Sequence, residues 1–527
     1  MVLHEFTGDS GLRRMYTNSR GSNSLMRHTR RMVHFVCVFS FAALVMQHAF
    51  GHRAVAQTTV SQPSSVVEVP LQRLNQIQQE LDYLRARDAE RQAWEHSIMD
   101  RLPETDFDFV SDTYASGADG GYLSITESAQ KSGNGCKSCG GYHCGCPLTP
   151  APCIDCPRVS TLSSFFNVHI FGALKLDMLF NGGRPIAAGT PFYLLPGSAL
   201  GFSQNTVDIH ARQSTLGAAF TGPQVGSFQS GGLVMAMFFN DSVILDQYGF
   251  LPLQAYGELK NEDWRFAAGL QFDVFNPGVP TMLPFSALAA SGNSGNSFRG
   301  QVRVERFLHP ADDVQWTLQG ALSEPITTTI DPAFGLLNED AGWPNLEGRV
   351  ALGLGALQQA GLATYRPVEI GVSGVVGQLR TLEVGVRQVV ADVWGVGTDF
   401  RWMMTESSGI TGEFFTGQSL GTYNAGILQT TNRDTFLGVR STGGWLEYFQ
   451  YWNPCLHSHF GYGIDDPLDR DVALGSPLYN STIYSNLLWD VNSTFRVGFE
   501  VTWRQTQYRV APDNEAAGFH TQFQWSF

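Results

Sequence analysis

The chain has 527 residues, a formal net charge of −14, 16% charged residues, 12% aromatics and 56 glycines. Its mean hydropathy is −0.10 and no apolar stretch is long enough for a helical membrane span, while the acidic balance, with no basic cluster beyond the N-terminus, excludes nucleic-acid binding. The composition suits a transmembrane β-barrel, whose apolar residues fall at alternate positions.

Residues 1–56 read as an export signal. Arg27, Arg30 and Arg31 lead into an apolar run from Val33 to Met46, and Ala54-Val55-Ala56 places small residues before a cleavage site at Gln57. The run is too short to span a bilayer; the alternative is a membrane anchor. After a short linker, 57–70, residues 71–102 read as a periplasmic α-helical coiled coil. Leu74, Ile77, Leu81, Leu84, Ile98 and Leu102 share one heptad frame, with Asp88, Arg91 and Glu95 in its middle. A single surface helix is the alternative.

Residues 103–162 form a Gly/Ser/Cys-rich linker that holds six of the eight cysteines: Cys136, Cys139, Cys144, Cys146, Cys153 and Cys156. In an oxidising compartment their even number points to disulfides, within or between chains. Zinc is the alternative, because paired thiols suit a tetrahedral site. Covalent haem is excluded, since Gly140 and Pro157, not histidine, follow the two C-x2-C pairs.

From 163 to 527 the pattern is all-β. In 168–180, Val168, Ile170, Leu174, Leu176, Met178 and Phe180 share one face while Lys175 and Asp177 share the other. The same alternation sets Trp264, Phe266 and Leu270 against Arg265, Gln271 and Asp273, and Phe298, Val302 and Val304 against Arg299, Gln301, Arg303 and Glu305. It recurs in 314–322, and again where Val497, Phe499, Val501 and Trp503 alternate with Arg496, Glu500 and Arg504. Charges are costly in lipid, so the charged face must be a wet lumen.

About sixteen such segments are expected: 167–180, 203–220, 226–240, 251–260, 263–275, 297–308, 313–323, 345–356, 365–378, 388–405, 408–417, 433–441, 444–453, 477–490, 493–508 and 515–527. Short turns fall at Asn261-Glu262, His309 to Asp312, Thr442-Gly443 and Asn492. Long loops fall at 181–202, 276–296, 324–344, 418–432 and 454–476. Short turns at one end and long loops at the other are the outer-membrane pattern, and an even strand number returns both termini to the periplasmic side. The last strand carries Phe519, Phe523, Trp525 and Phe527 on one face and His520, Gln522, Gln524 and Ser526 on the other.

Three stretches resemble the DcaP-like trimeric outer-membrane porins: Ala173-Leu174-Lys175-Leu176-Asp177, then Gly269 to Asp273 with Phe298 to Arg303, and the closing Asn486-Leu487-Leu488-Trp489 through Phe527. The coil ahead of the barrel matches that family's layout; the cysteine linker departs from it. The resemblance implies a sixteen-stranded homotrimer, joined through barrel walls and coil, that sits in outer-membrane lipid and passes small, often anionic, solutes through basic-lined pores.

No catalytic or cofactor arrangement stands out, Ser, His and Asp being scattered among loops and H-E-x-x-H missing, so a non-enzymatic protein is expected. His457 and His459 read as part of a solvated loop near Cys455, with metal binding as the alternative. The expected pore lining is Lys175, Arg265, Asp273, Arg299, Gln301, Arg303, Glu305, Arg349, Arg401, Arg496, Glu500 and Arg504. Uncompensated, the cations form an anion filter; paired with Asp177, Asp273, Glu305, Glu347, Asp399 and Glu500, they form a wall-stiffening network. Loop 276–296, with Pro277, Pro280, Met282, Pro284 and Phe285, is the expected constriction. The reading is a passive channel for small hydrophilic, anionic solutes. Its rivals are a phosphate- or oligosaccharide-selective porin, a structural barrel tying the outer membrane to the periplasm or wall, and a barrel enzyme.

Overall fold

The computed structural model describes residues 160–163, 166–197, 204–240, 246–326, 341–360, 363–382 and 388–527. The export signal, the coiled coil and the six linker cysteines lie outside the described residues.

A short strand β1 (Ser160–Ser163) folds back on the first wall strand, β2 (Phe166–Asn181). The next wall strand is interrupted. Its halves, β3 (Thr206–His210) and β4 (Thr215–Val225), both pair with β2, through Asp177–Asn181 and Asn167–Ala173 respectively. The wall continues through β5 (Phe228–Phe239), β6 (Tyr248–Lys260), β7 (Trp264–Phe272), β8 (Phe298–Ala311), β9 (Val314–Ser323) and β10 (Asn345–Leu354). A small separate hairpin, β11 (Gln358–Ala360) with β12 (Ala363–Tyr365), stands between β10 and β13 (Val368–Leu382). Then follow β14 (Gln388–Thr405), β15 (Ser408–Gln418), β16 (Arg440–Asn453), β17 (Leu456–Pro467), β18 (Pro477–Asp490), β19 (Phe495–Tyr508) and β20 (Asn514–Ser526). Each wall strand pairs antiparallel with the next, and β20 closes on β2 with Ala173 opposite Ser526. Counting β3 and β4 as one strand and leaving out β1, the eighteen-stranded sheet is a closed barrel of sixteen.

The barrel is inside-out relative to a water-soluble core. Leu174, Leu176, Met178, Phe180, Val302, Ile370, Val372, Leu446 and Phe499 are exposed on the outer face, while Asp177, Arg299, Glu305, Glu347 and Thr506 are buried on the inner one. Every second residue therefore meets a different solvent, the arrangement that keeps apolar side chains in lipid and charges out of it. Trp264, Trp316, Trp402, Trp489 and Trp525 are also exposed, and each stands near the short-turn end of its strand. A ring of amphipathic indoles at one rim suits a membrane–water boundary.

The strand number agrees with the expectation, but two local assignments do not. Segments 433–441 and 444–453 are not two strands joined at Thr442-Gly443. Arg440–Asn453 is one strand, and Thr442 and Gly443 lie within it, opposite Thr416 and Phe415 on one side and Asp466 and Asp465 on the other. Gly443 serves packing and not a turn: a Cβ there would come within 2.5 Å of the Ile464 carbonyl oxygen and 2.7 Å of the Phe415 ring. Conversely, 454–476 is not one long loop. A tight turn at Pro454-Cys455, where the Cys455 N–H donates to Asn453 Oδ1 at 2.8 Å, sends the chain straight into β17. Polar inward residues and two inward glycines give β17 the composition of a loop, although Leu456, Phe460, Tyr462 and Ile464 alternate on its outer face. The two errors cancel in the count.

Candidate solute path

The connection between β7 and β8, residues 273–297, turns into the barrel instead of covering its rim, as the constriction reading expects. Its prolines cannot donate and its other N–H groups leave the sheet ladder, so inside the barrel they need acceptors. Wall carboxylates supply them in sequence. Glu347 Oε2 accepts from Val274 N at 2.6 Å and Phe275 N at 3.1 Å. Glu413 Oε1 accepts from Gly278 N at 2.7 Å, Glu447 Oε2 from Thr281 N at 2.6 Å, and Glu500 Oε2 from Leu283 N at 3.0 Å. Residues 274–283 thus cross from β10 past β15 and β16 to β19, pinned by four buried carboxylates. Charge-assisted bonds of this kind contribute about 1.5–3 kcal/mol each.

Other lumen groups hold the carboxylates in turn. Ser323 Oγ and Tyr423 Oη donate to Glu347 Oε1, Trp445 Nε1 donates to Glu413, and Tyr484 Oη and His459 Nδ1 reach Glu447. Two more loops join inside. From 419–439, Tyr423, Ala425, Ile427 and Leu428 are buried; from the β2–β3 loop, Phe192 and Leu194 are buried. Phe275 packs edge-on to Tyr423 at 5.8 Å, and Phe192, Ala289, Ala290, Ile427 and Leu428 form one apolar cluster across the three loops. Ile427 adopts φ 51, a conformation a β-branched residue rarely takes, and its N–H donates to Asp465 Oδ2 at 2.9 Å. Bonds of this kind to fixed wall groups are what hold a strained backbone in place.

Beyond the strands, two carboxylates tie down the long-loop end. The Arg440 hydrogen bond holds the Asp471 carboxyl below the usual carboxylate range. Burial pushes the Asp246 carboxyl up, although Gly189 N donates to it from the β2–β3 loop at 3.1 Å.

The expected lining residues on the strands point inward, but most of the cations are paired. Arg265 meets Glu258 at 2.5 Å and Glu305 at 3.1 Å, Arg303 meets Glu305 at 3.5 Å, and Arg299 meets Asp273 at 2.8 Å. Asp273 itself is the first loop residue after β7. Arg349 takes Asp399 at 2.5 Å and Glu369 at 2.7 Å, and Arg496 takes Asp490 at 2.5 Å. Gln301 donates to the backbone oxygens of Gln271 and Phe272. Lys175 is half-buried, with its N–H donating to Ser214 Oγ. For these arginines the geometry is that of the wall-stiffening network. Arg401 is half-buried over the Tyr365 ring at 5.9 Å. Arg504 is buried, and its Nε has no hydrogen-bond partner among the described residues.

His457 and His459 are not in a solvated loop. Both are buried on the inner face of β17 in a chain that runs Asp490, His457, His459, Glu447, with the two rings 2.9 Å apart between Nδ1 and Nε2. Among the described residues no group of three or more His, Cys, Asp or Glu is arranged to hold a metal. Glu413, Glu447 and Asp465 were not singled out from the sequence. Alternation about Phe414 and Leu446 would have placed the first two in the lumen; Asp465 was lost with β17.

Cys455 is disulfide-bonded, and every other cysteine of the chain lies outside the described residues. Peptide mapping without reductant is expected to recover Cys455 in a cross-linked peptide; quantitative alkylation of Cys455 before reduction would contradict the bond.

No protein-family model matches the chain, and no curated protein matches it. Among solved structures, the outer membrane channel DcaP of Acinetobacter baumannii superposes with a TM-score of 0.54 at 14% identity, over 70% of this chain and 99% of that one. An anion-selective porin from Comamonas acidovorans gives a TM-score of 0.44 at 12% identity, over 69% of this chain and 100% of that one. The outer-membrane protein OmpT of Vibrio cholerae gives 0.43 at 12% identity, over 70% and 100%. The first of these shows the fold: the chain has the barrel architecture of the DcaP channel, the family the sequence resembles.

Proposed function

We propose that the chain is an outer-membrane channel for small hydrophilic solutes, with its lumen narrowed by residues 273–297. The observation that carries the reading is the closed barrel with an apolar outer face, a charged inner face and a loop pinned across its interior. A wall of this kind serves passage of polar solutes, because it offers a polar path through an apolar layer. The anion preference expected of the lumen arginines narrows in this reading to Arg401 and Arg504, since Arg265, Arg299, Arg303, Arg349 and Arg496 already hold carboxylates. The DcaP-like layout supports a homotrimer. The proposal includes an export signal in 1–56, a periplasmic coil in 71–102 and the cysteine linker ahead of the barrel.

The test is conductance. Purified protein added to a planar bilayer is expected to give discrete, voltage-tolerant steps in potassium chloride, and liposomes carrying it should swell in small sugars but not in large oligosaccharides. A correctly folded barrel that gives neither steps nor swelling would sink the channel reading and favour the structural one.

A further inference from the structure

The two buried histidines of β17 stand in a line of contacts that ends on the inward loop. His457 Nε2 faces Asp490 Oδ2 at 3.5 Å, His457 Nδ1 meets His459 Nε2 at 2.9 Å, and His459 Nδ1 meets Glu447 Oε1 at 2.7 Å. The other oxygen of Glu447, Oε2, accepts from Thr281 N and from Tyr484 Oη. One anchor of the constricting segment is therefore the last member of the line.

The contacts fix how many protons the line holds. Asp490 accepts from Arg496 Nε, and Glu447 accepts its two donors on Oε2, so both act as carboxylates. Each of the three contacts then needs one proton, and all three protons belong to the rings. Two neutral imidazoles carry only two. One ring is therefore an imidazolium, and the middle proton is shared by the facing nitrogens. The surroundings suit one added charge. Glu447 and Tyr451 of β16, Tyr484 and Asp490 of β18 and Arg496 of β19 face the pair. Glu500 of β19 is reached through Asn486, which accepts from His459 N and donates to Glu500. Arg496 already offsets Asp490, which leaves Glu447 beside the cation.

Losing a proton and gaining one have different consequences. With one fewer, both rings exchange tautomers and the gap falls at the longer Asp490 contact, so Glu447 keeps its donor. With one more, both facing nitrogens carry hydrogen at 2.9 Å and the two cations repel. His457 has no room to retreat, being 0% exposed and stacked on Tyr451 at 4.5 Å. His459 moves instead, and Glu447, already in contact at 2.7 Å, is displaced with it. We propose that His457 and His459 form an acid-sensitive switch, which loosens the constricting segment at Thr281 when the pair takes up its second charge. The effect on current rests on the channel reading; the shared proton does not.

Two measurements test it. Nitrogen magnetic resonance of histidine-labelled protein in lipid needs no current. It is expected to show a nitrogen–nitrogen coupling across the ring-to-ring hydrogen bond at about pH 7.5, lost by about pH 4.5. In bilayers, conductance is expected to rise at least about 1.5-fold over the same range. His457→Gln, which leaves His459 no second imidazolium to repel, should flatten that rise, with heat-dependent gel migration showing that the variant is folded. No coupling at the neutral end would overturn the shared proton. A coupling that survives acid, or the same conductance rise in folded His457→Gln, would overturn the switch. The expected coupling in a protein that passes no current would uphold the proton switch and sink the channel reading alone.

Discussion

Replacing Glu413 and Glu447 together with alanine is expected to raise single-channel conductance on the order of twofold while the barrel stays folded. The two carboxylates hold the middle of the constricting segment, at Gly278 and Thr281. Each bond contributes about 1.5–3 kcal/mol, and without an acceptor a buried N–H costs a similar amount. The freed segment recovers that cost by lifting into the lumen water, which widens the path. The wall is held by its own ladder: β15 pairs with β16 over eleven registered positions, and β16 with β17 on its far side. The substitutions remove no backbone bond from either pairing. Bilayer recordings of parent and double variant, with heat-dependent gel migration as the folding control, make the comparison. Unchanged conductance in a folded double variant would mean that the apolar contacts of Phe275 and Leu288, and not the carboxylates, hold the loop.

Much of the wall was legible because a barrel between lipid and water enforces a period of two. The alternation bounds Gln388–Thr405 to the residue, since Val390, Trp394, Val396 and Trp402 face out while Asp399 and Arg401 face in. The same rule assigned Arg265, Arg299 and Arg303 to the lumen. It failed where outward residues were few or glycine stood for a side chain, as in β16 and β17. Partners were harder to read than faces. Arg265 and Glu305 sit directly opposite in the register of β7 and β8, a pairing that a correct strand list predicts. Arg349 and Asp399 are separated by the whole of β13. They meet because Gly371 and Ser373 stand between them: a Cβ at Gly371 would come within 2.7 Å of Arg349 Nε and 2.5 Å of Asp399 Oδ2. The loop–wall bonds were not legible at all. Leu283 and Glu500 are 217 residues apart, and a backbone N–H carries no side-chain signature.

The register also changes what mutation of the lumen arginines should do. Arg299 is fully buried, donates to Asp273, to the Glu324 carbonyl and to the Thr422 carbonyl, and lies 3.8 Å from the centre of the Tyr423 ring. It therefore joins the wall to two inward loops. Removing one member of such a pair leaves the other charge buried without compensation, at a cost of about 3–5 kcal/mol. Arg299→Ala is expected to lower the temperature at which the barrel loses its compact gel migration, by several degrees or more. Its effect on selectivity should be small, because Asp273 and Glu305 already neutralise Arg299 and Arg303. Under a salt gradient, the reversal potential of Arg299→Ala with Arg303→Ala should stay close to that of the parent, whereas Arg504→Gln, which removes a cation that makes no salt-bridge contact with a carboxylate among the described residues, should move it toward cations. A large cation-ward shift in the double variant, with Arg504→Gln unchanged, would place the filter at the paired arginines and return the selectivity to the face of β8.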